Sequence, residues 1–127
     1  LTWAHRNFEN NDLNPKHYQF VRANILEWLA SDPRAEFDII LLDPPTFSNT
    51  KSTEKTLDIQ RDHCALIDAC ARWLVPQGFI YFSNNLRGFS LGDSVMERYS
   101  VEDLTRASID ADFDRKPPHV LFKVSLK

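Results

Sequence analysis

The chain has 127 residues, 43% of them hydrophobic and 26% charged, with a formal charge of −3. That composition excludes a disordered or fibrous chain, and the mildly acidic balance excludes a surface that by itself forms a strong nucleic-acid electrode, which needs clustered Lys and Arg. No apolar run approaches the roughly 20 residues of a membrane span and no basic-then-apolar leader opens the sequence, so the chain reads as a cytosolic globular domain of about 100–150 residues.

Leu1, Ala4 and Phe8 recur at helical spacing, which predicts a helix to about Asn10, stopped by Asn10-Asn11-Asp12. An opening without methionine and already inside a helix reads as a piece cut from something longer. His17 to Ala23 alternates aromatic and branched residues, predicting a short strand. A helix follows from Ile25 to Ala30, with Asn24 as N-cap and Ser31-Asp32-Pro33 as its end. Phe37 to Leu42 is apolar apart from Asp38, the pattern of a strand buried on both faces of a sheet.

After a loop from Asp43 to about Thr56, the apolar spacing of Leu57, Cys64, Ile67, Ala71 and Leu74 predicts a helix over 57–74, ended by Val75-Pro76-Gln77-Gly78. Cys64 and Cys70 fall on different faces of it and match neither a disulfide framework nor a zinc knuckle, so both read as reduced thiols in or near the core. Phe79 to Ser83 is a second short buried strand, Ser94 to Tyr99 a helix, and Val120 to Leu126 a strand; Val101 to Ile109 is ambiguous. The alternation is that of a parallel α/β sheet, without repeats and without a linker that would divide the chain.

In such sheets ligands bind beyond the carboxyl ends of the strands, where this chain places Asp43-Pro44-Pro45. Two prolines fix two φ angles and keep the backbone extended. An acceptor-rich edge followed by Phe47 suits a planar base, hydrogen-bonded on its edge and stacked on its face, although an Asp-Pro-Pro can also simply terminate a strand. The second buried strand also ends in polar residues, Ser83-Asn84-Asn85. The four histidines are scattered, giving no metal-ligand spacing.

Three motifs in order, Asp-Pro-Pro-Thr-Phe-Ser-Asn from Asp43, Asp58-x-Gln60-Arg61-Asp62-His63, and Phe82-Ser83-Asn84-Asn85-x-Arg87-Gly88-Phe89, resemble the guanine-N7 methyltransferase half of the bifunctional large-subunit ribosomal RNA methyltransferases. The resemblance implies a Rossmann-like class I fold, S-adenosylmethionine as cofactor, no metal, and ribosomal RNA as partner, gripped mainly by segments other than this one. It implies a single methyltransferase domain of which this chain is the C-terminal portion, from the third strand onward. The three glycines, Gly78, Gly88 and Gly92, form no G-x-G cradle, so the chain alone is expected to be inactive.

Asn24, with Ile25 beside it, matches the position facing the cofactor's adenine, where the family usually has aspartate; an N-cap role explains Asn24 equally well. Asp43, Pro44, Pro45 and Phe47 match the junction between methyl donor and base, with Asp43 and Pro44 also reaching the cofactor. Thr46, Arg61, Asn84, Asn85 and Arg87 are the substrate-side candidates, Arg61 having an ion pair with Asp62 as its simpler role. Methylation of an exocyclic amine, adenine N6 or guanine N2, is the alternative chemistry, and a folded core without activity the alternative class. Loss of the preceding strands is expected to leave Phe37–Leu42 as an exposed edge and to favour self-association.

Overall fold

The computed structural model describes residues 1–31, 37–48, 57–113 and 117–127. The chain divides into two compact units, residues 1–31 and 32–127. In the first unit, α1 spans Thr2–Asn10, and the turn that follows places Asp12 at φ 56°, a left-handed value that Asp tolerates. The strand expected over His17–Ala23 does not form. Asn14 caps a 3₁₀ turn over Pro15–His17, and the residues after it pair with no strand among the described residues. The alternation is real but serves another purpose: Tyr18 and Phe20, two residues apart, both meet the ring of Phe8 edge-on, at 4.6 and 5.1 Å between centroids. An i, i+2 aromatic pair laid on a helix has the same pattern as a strand face. The helix α2, Ile25–Ala30, forms as expected, with Asn24 as N-cap and Ser31 as C-cap; Asp32 and Pro33 lie outside the described residues.

The second unit is built on a sheet of four strands in the order β1-β4-β6-β5. These are β1 (Phe37–Leu42), β4 (Leu74–Asn84), β5 (Tyr99–Asp103) and β6 (Val120–Leu126). β1 and β4 are parallel, joined through the helix α3 (Ile59–Ala71), while β6 runs antiparallel to both β4 and β5. A parallel pair with a helical crossover, closed by an antiparallel hairpin, is the Rossmann-like arrangement expected. A short helix, α4 (Asp93–Arg98), leads into β5.

Several boundaries differ from expectation. The segment after Asp43 is not only a loop: Phe47–Ser48 (β2) and Leu57–Asp58 (β3) form a two-stranded antiparallel ladder, and residues 49–56 lie outside the described residues. The helix is correspondingly shorter at both ends than 57–74, because Asp58 caps it and Leu74 already pairs with Phe37. Val75-Pro76-Gln77-Gly78 is an irregularity inside β4, between the pairs Phe37–Leu74 and Ile39–Phe79. Gly78 is required there. A Cβ at that position would lie 2.8 Å from the carbonyl oxygen of Phe37 and 3.0 Å from that of Asp38, so the crossing backbones tolerate no side chain.

Ile59, Leu66, Ile67, Ile80, Phe82, Val95 and Val124 are fully buried and join α3, α4, β4 and β6 into one core. Each contributes about 1.5–3 kcal/mol relative to an exposed side chain. β1 departs from the expectation of burial on both faces. Among the described residues it stands at the sheet edge, paired with β4 alone, with Ile39 55% and Leu41 73% exposed. Cys64 and Cys70 are both free thiols, Cys70 buried, which pushes its pKa up to about 11.

Candidate active site

The parallel register decides what meets at the strand ends. Leu42 pairs with Phe82, so the next residues, Asp43 and Ser83, emerge side by side. The Ser83 hydroxyl donates to Asp43 Oδ1 at 2.7 Å. Pro44 and Pro45 then hold the chain extended, and Thr46 Oγ1 donates to Asn85 Oδ1 at 2.6 Å. The loop after β1 and the loop after β4 are thus bonded twice, by residue pairs about 40 positions apart in sequence.

Phe47 is 61% exposed although it takes part in the β2–β3 ladder, opposite Asp58. Most of the ring is therefore accessible from outside the described residues. Asp43 and Pro45 are exposed, Pro44 and Thr46 half-buried. On the other loop Asn85 and Arg87 are exposed, whereas Asn84 is 2% exposed, its Oδ1 accepting from Leu86 N at 3.0 Å. That bond closes a tight turn, completed by Gly88 at φ 74°, a left-handed backbone that favours glycine. The structure therefore gives Asn84 a turn-forming position, with Asn85 and Arg87 presented outward.

The first turn of α3 lies beside both loops. Asp58 Oδ1 accepts from Arg61 N at 3.2 Å, and Asp62 Oδ2 accepts from Asp58 N at 2.9 Å, a reciprocal cap built from two carboxylates. Arg61 is exposed and bonds Asp62 at 2.7 Å, a hydrogen bond that raises its already high pKa further. Ile59 N donates to Thr46 O at 3.3 Å, tying the helix to the first loop. His63 is buried, stacked on Phe82 and met edge-on by Phe89 at 4.8 Å. Its Nε2 accepts from Gly92 N at 2.9 Å, and its Nδ1 lies 3.0 Å from the carbonyl oxygens of Ile59 and Gln60. The tautomer protonated at Nδ1 satisfies both sides.

Sequence reasoning gave no individual role to Ser83, Gln60 or His63, although each stood in a quoted motif. Their partners are backbone groups or residues tens of positions away, and only the strand register reveals them. Asn24 and Ile25 belong to the first unit. There Asn24 Oδ1 accepts from Leu26 N and its Nδ2 donates to Glu27 Oε1, both at 3.1 Å, so the amide is engaged at both ends in the first turn of α2.

The parallel pair with its helical crossover and an Asp-Pro-Pro edge at the carboxyl end is a Rossmann-like arrangement. The crystal structure of SMU.776, complexed with SAH, shares the fold, with a TM-score of 0.69 and 20% identity over 99% of this chain and 36% of that one. The chain is homologous to a segment of the ribosomal RNA large subunit methyltransferase K/L proteins: it is 46% identical to that of Dichelobacter nodosus over 98% of the chain and 51% identical to that of Hahella chejuensis over 91%. It is also 43% identical, over its whole length, to ribosomal RNA large subunit methyltransferase K of Neisseria meningitidis serogroup B. The chain spans 17%, 16% and 36% of these three relatives. No family model matches it.

Proposed function

We propose that this chain forms the substrate-facing part of an S-adenosylmethionine-dependent methyltransferase that modifies guanine N7 in large-subunit ribosomal RNA. The observation that carries the reading is the paired strand end. Asp43 is braced by Ser83, Thr46 is braced by Asn85, and an exposed Phe47 stands beside a rigid Pro-Pro edge. The homology to ribosomal RNA large subunit methyltransferases supplies the substrate class.

The cofactor supplies an electrophilic methyl group, and the residues at the strand ends fit the side of it that faces a base. Asp43 keeps a second carboxylate oxygen beyond the one fixed by Ser83. The glycines are committed elsewhere: Gly78 to the approach of β1, Gly88 to a left-handed turn, and Gly92 to His63 and Cys64, whose Sγ would lie 2.6 Å from an added Cβ. The cradle for the methionine part is therefore assigned to other segments.

Guanine N7 carries an in-plane lone pair, so the reaction needs no base to remove a proton. The task is to bring that nitrogen into line with the methyl group and to exclude water. Asp43 and the Pro44-Pro45 carbonyls orient the base edge, Phe47 covers its face, and Asn85 and Arg87 meet the neighbouring nucleotide or phosphate. The net charge of −3 leaves most of the RNA grip to segments other than this one. Nucleoside mass spectrometry of ribosomal RNA treated with the complete gene product tests the reading. 7-Methylguanosine is expected; N6-methyladenosine or N2-methylguanosine would replace the N7 assignment, and no methylation would overturn the reading.

A further inference from the structure

Outside the paired strand ends, Gln60 makes a two-bond contact with a single residue. Its Nε2 donates to Ser90 O at 2.9 Å and its Oε1 accepts from Ser90 N at 3.1 Å. A side-chain amide here makes, to a single residue, both bonds that a neighbouring strand would make. Two residues on, Gly92 N donates to His63 Nε2. The same helical turn binds the first loop through Ile59 N to Thr46 O, and through the ladder pair of Asp58 with Phe47. One turn of α3 thus fastens the Asp-Pro-Pro loop on one side and the Asn85–Gly92 segment on the other.

Resting on the function proposed above, we propose that Gln60 is a positioning residue: by clamping Ser90 it sets where Arg87, beyond the Thr46–Asn85 bond, stands relative to the Asp43-Pro44-Pro45 edge. Gln60 is exposed, and the helix start is already capped by Asp58 and Asp62, so the fold does not depend on it. The segment it holds is tied elsewhere at Asn85, whose Oδ1 accepts from Thr46 Oγ1 at 2.6 Å, and at Phe89, whose N donates to Leu86 O at 3.2 Å. Asn85, Arg87, Gly88 and Ser90 are exposed, and a Cβ at Gly88 would meet nothing within 4 Å. Before Ser90 the chain is pinned by the Asn84–Leu86 turn and by the ring of Phe89 against His63, after it by Gly92; the clamp on Ser90 closes the gap.

The test uses the complete gene product with Gln60→Met, which keeps the length and removes both bonds, and Gln60→Glu, which keeps the acceptor for Ser90 N but faces Ser90 O with a second acceptor. Amide hydrogen exchange at Ser90 should accelerate at least about tenfold in Gln60→Met and less in Gln60→Glu. The kcat/KM for ribosomal RNA should fall about tenfold in Gln60→Met, with cofactor affinity and Tm unchanged. Unchanged exchange at Ser90 would overturn the clamp. Faster exchange with unchanged kcat/KM would overturn the positioning role, as would a rate loss that follows a fall in Tm. An inactive wild-type enzyme would overturn the proposed function and the substrate role of the loop with it, while the exchange measurement would still judge the clamp.

Discussion

Asp43 meets Ser83 because the parallel register of two strands delivers them to the same point, and the 2.7 Å bond fixes one carboxylate oxygen. Asp43→Ala is expected to slow methyl transfer by the complete gene product about tenfold, on the order of 1.4 kcal/mol of transition-state stabilisation, with an unchanged melting curve. Single-turnover rates read this directly, and wild-type turnover by the variant would remove the orienting role. Phe47→Ala should cost about 1–3 kcal/mol of RNA binding or transition-state stabilisation, as lost base stacking does. At 61% exposure the ring gives little to stability, so a sharp fall in Tm with unchanged turnover would instead mark it as a packing residue. Both residues were legible in the sequence because their chemistry is local: a carboxylate before two prolines, and an aromatic two positions on. Ser83 was not, since nothing at positions 80–85 records that β4 pairs with β1 in that register.

At the scale of elements, α2, β1 and β6 were readable from their caps and apolar patterns, and α3 in its middle. The failures share a cause, the setting of boundaries by contacts distant in sequence. Val75-Pro76-Gln77-Gly78 has the composition of a terminator, yet it bulges within β4 because Leu74 already pairs with Phe37. Val101–Asp103 was ambiguous and Tyr99 read as the end of a helix because the partners that make β5 lie on β6, 19 to 27 residues away. The start of β5 carries a pH-sensitive joint. Burial, and then the hydrogen bond to Asp68 at 2.8 Å, push the Tyr99 phenol up to about 12. Folding therefore favours the protonated phenol, so its contribution to stability is complete below pH 10 and is lost as pH rises from about 10 to 12. The buried Cys70 thiol acts in the same direction, with its pKa raised to about 11. Denaturant melts between pH 9 and 12 should show a shallower alkaline loss in Tyr99→Phe, with the Cys70 part remaining; an identical slope would show that the Tyr99 proton is not linked to folding.

At the scale of the whole molecule, β1 leaves one edge of the sheet unpaired among the described residues, with Ile39 and Leu41 exposed and Asp38 as its one charge. An apolar edge with a single charge is weakly protected against pairing with another chain. The 127-residue chain on its own is therefore expected to self-associate, and to bind S-adenosylmethionine weakly or not at all because its three glycines are committed to structure. Light scattering and calorimetry on one sample test both points. A monodisperse monomer binding the cofactor with a Kd on the order of micromolar would contradict this account.

The strand order has a consequence in time. No neighbouring pair in the four-stranded sheet is joined by a tight turn: residues 43–73 separate β1 from β4, residues 85–119 separate β4 from β6, and residues 104–119 separate β5 from β6. Every pairing must therefore close a long stretch of chain before any ladder bond rewards it, which places folding in the slow range of milliseconds to seconds. During that interval the apolar strands await their partners, and collisions between chains compete with closure within each chain. Recovery from denaturant will then depend on chain concentration during the first seconds rather than on the final stability of the sheet, with dilute refolding giving the higher yield of monomer.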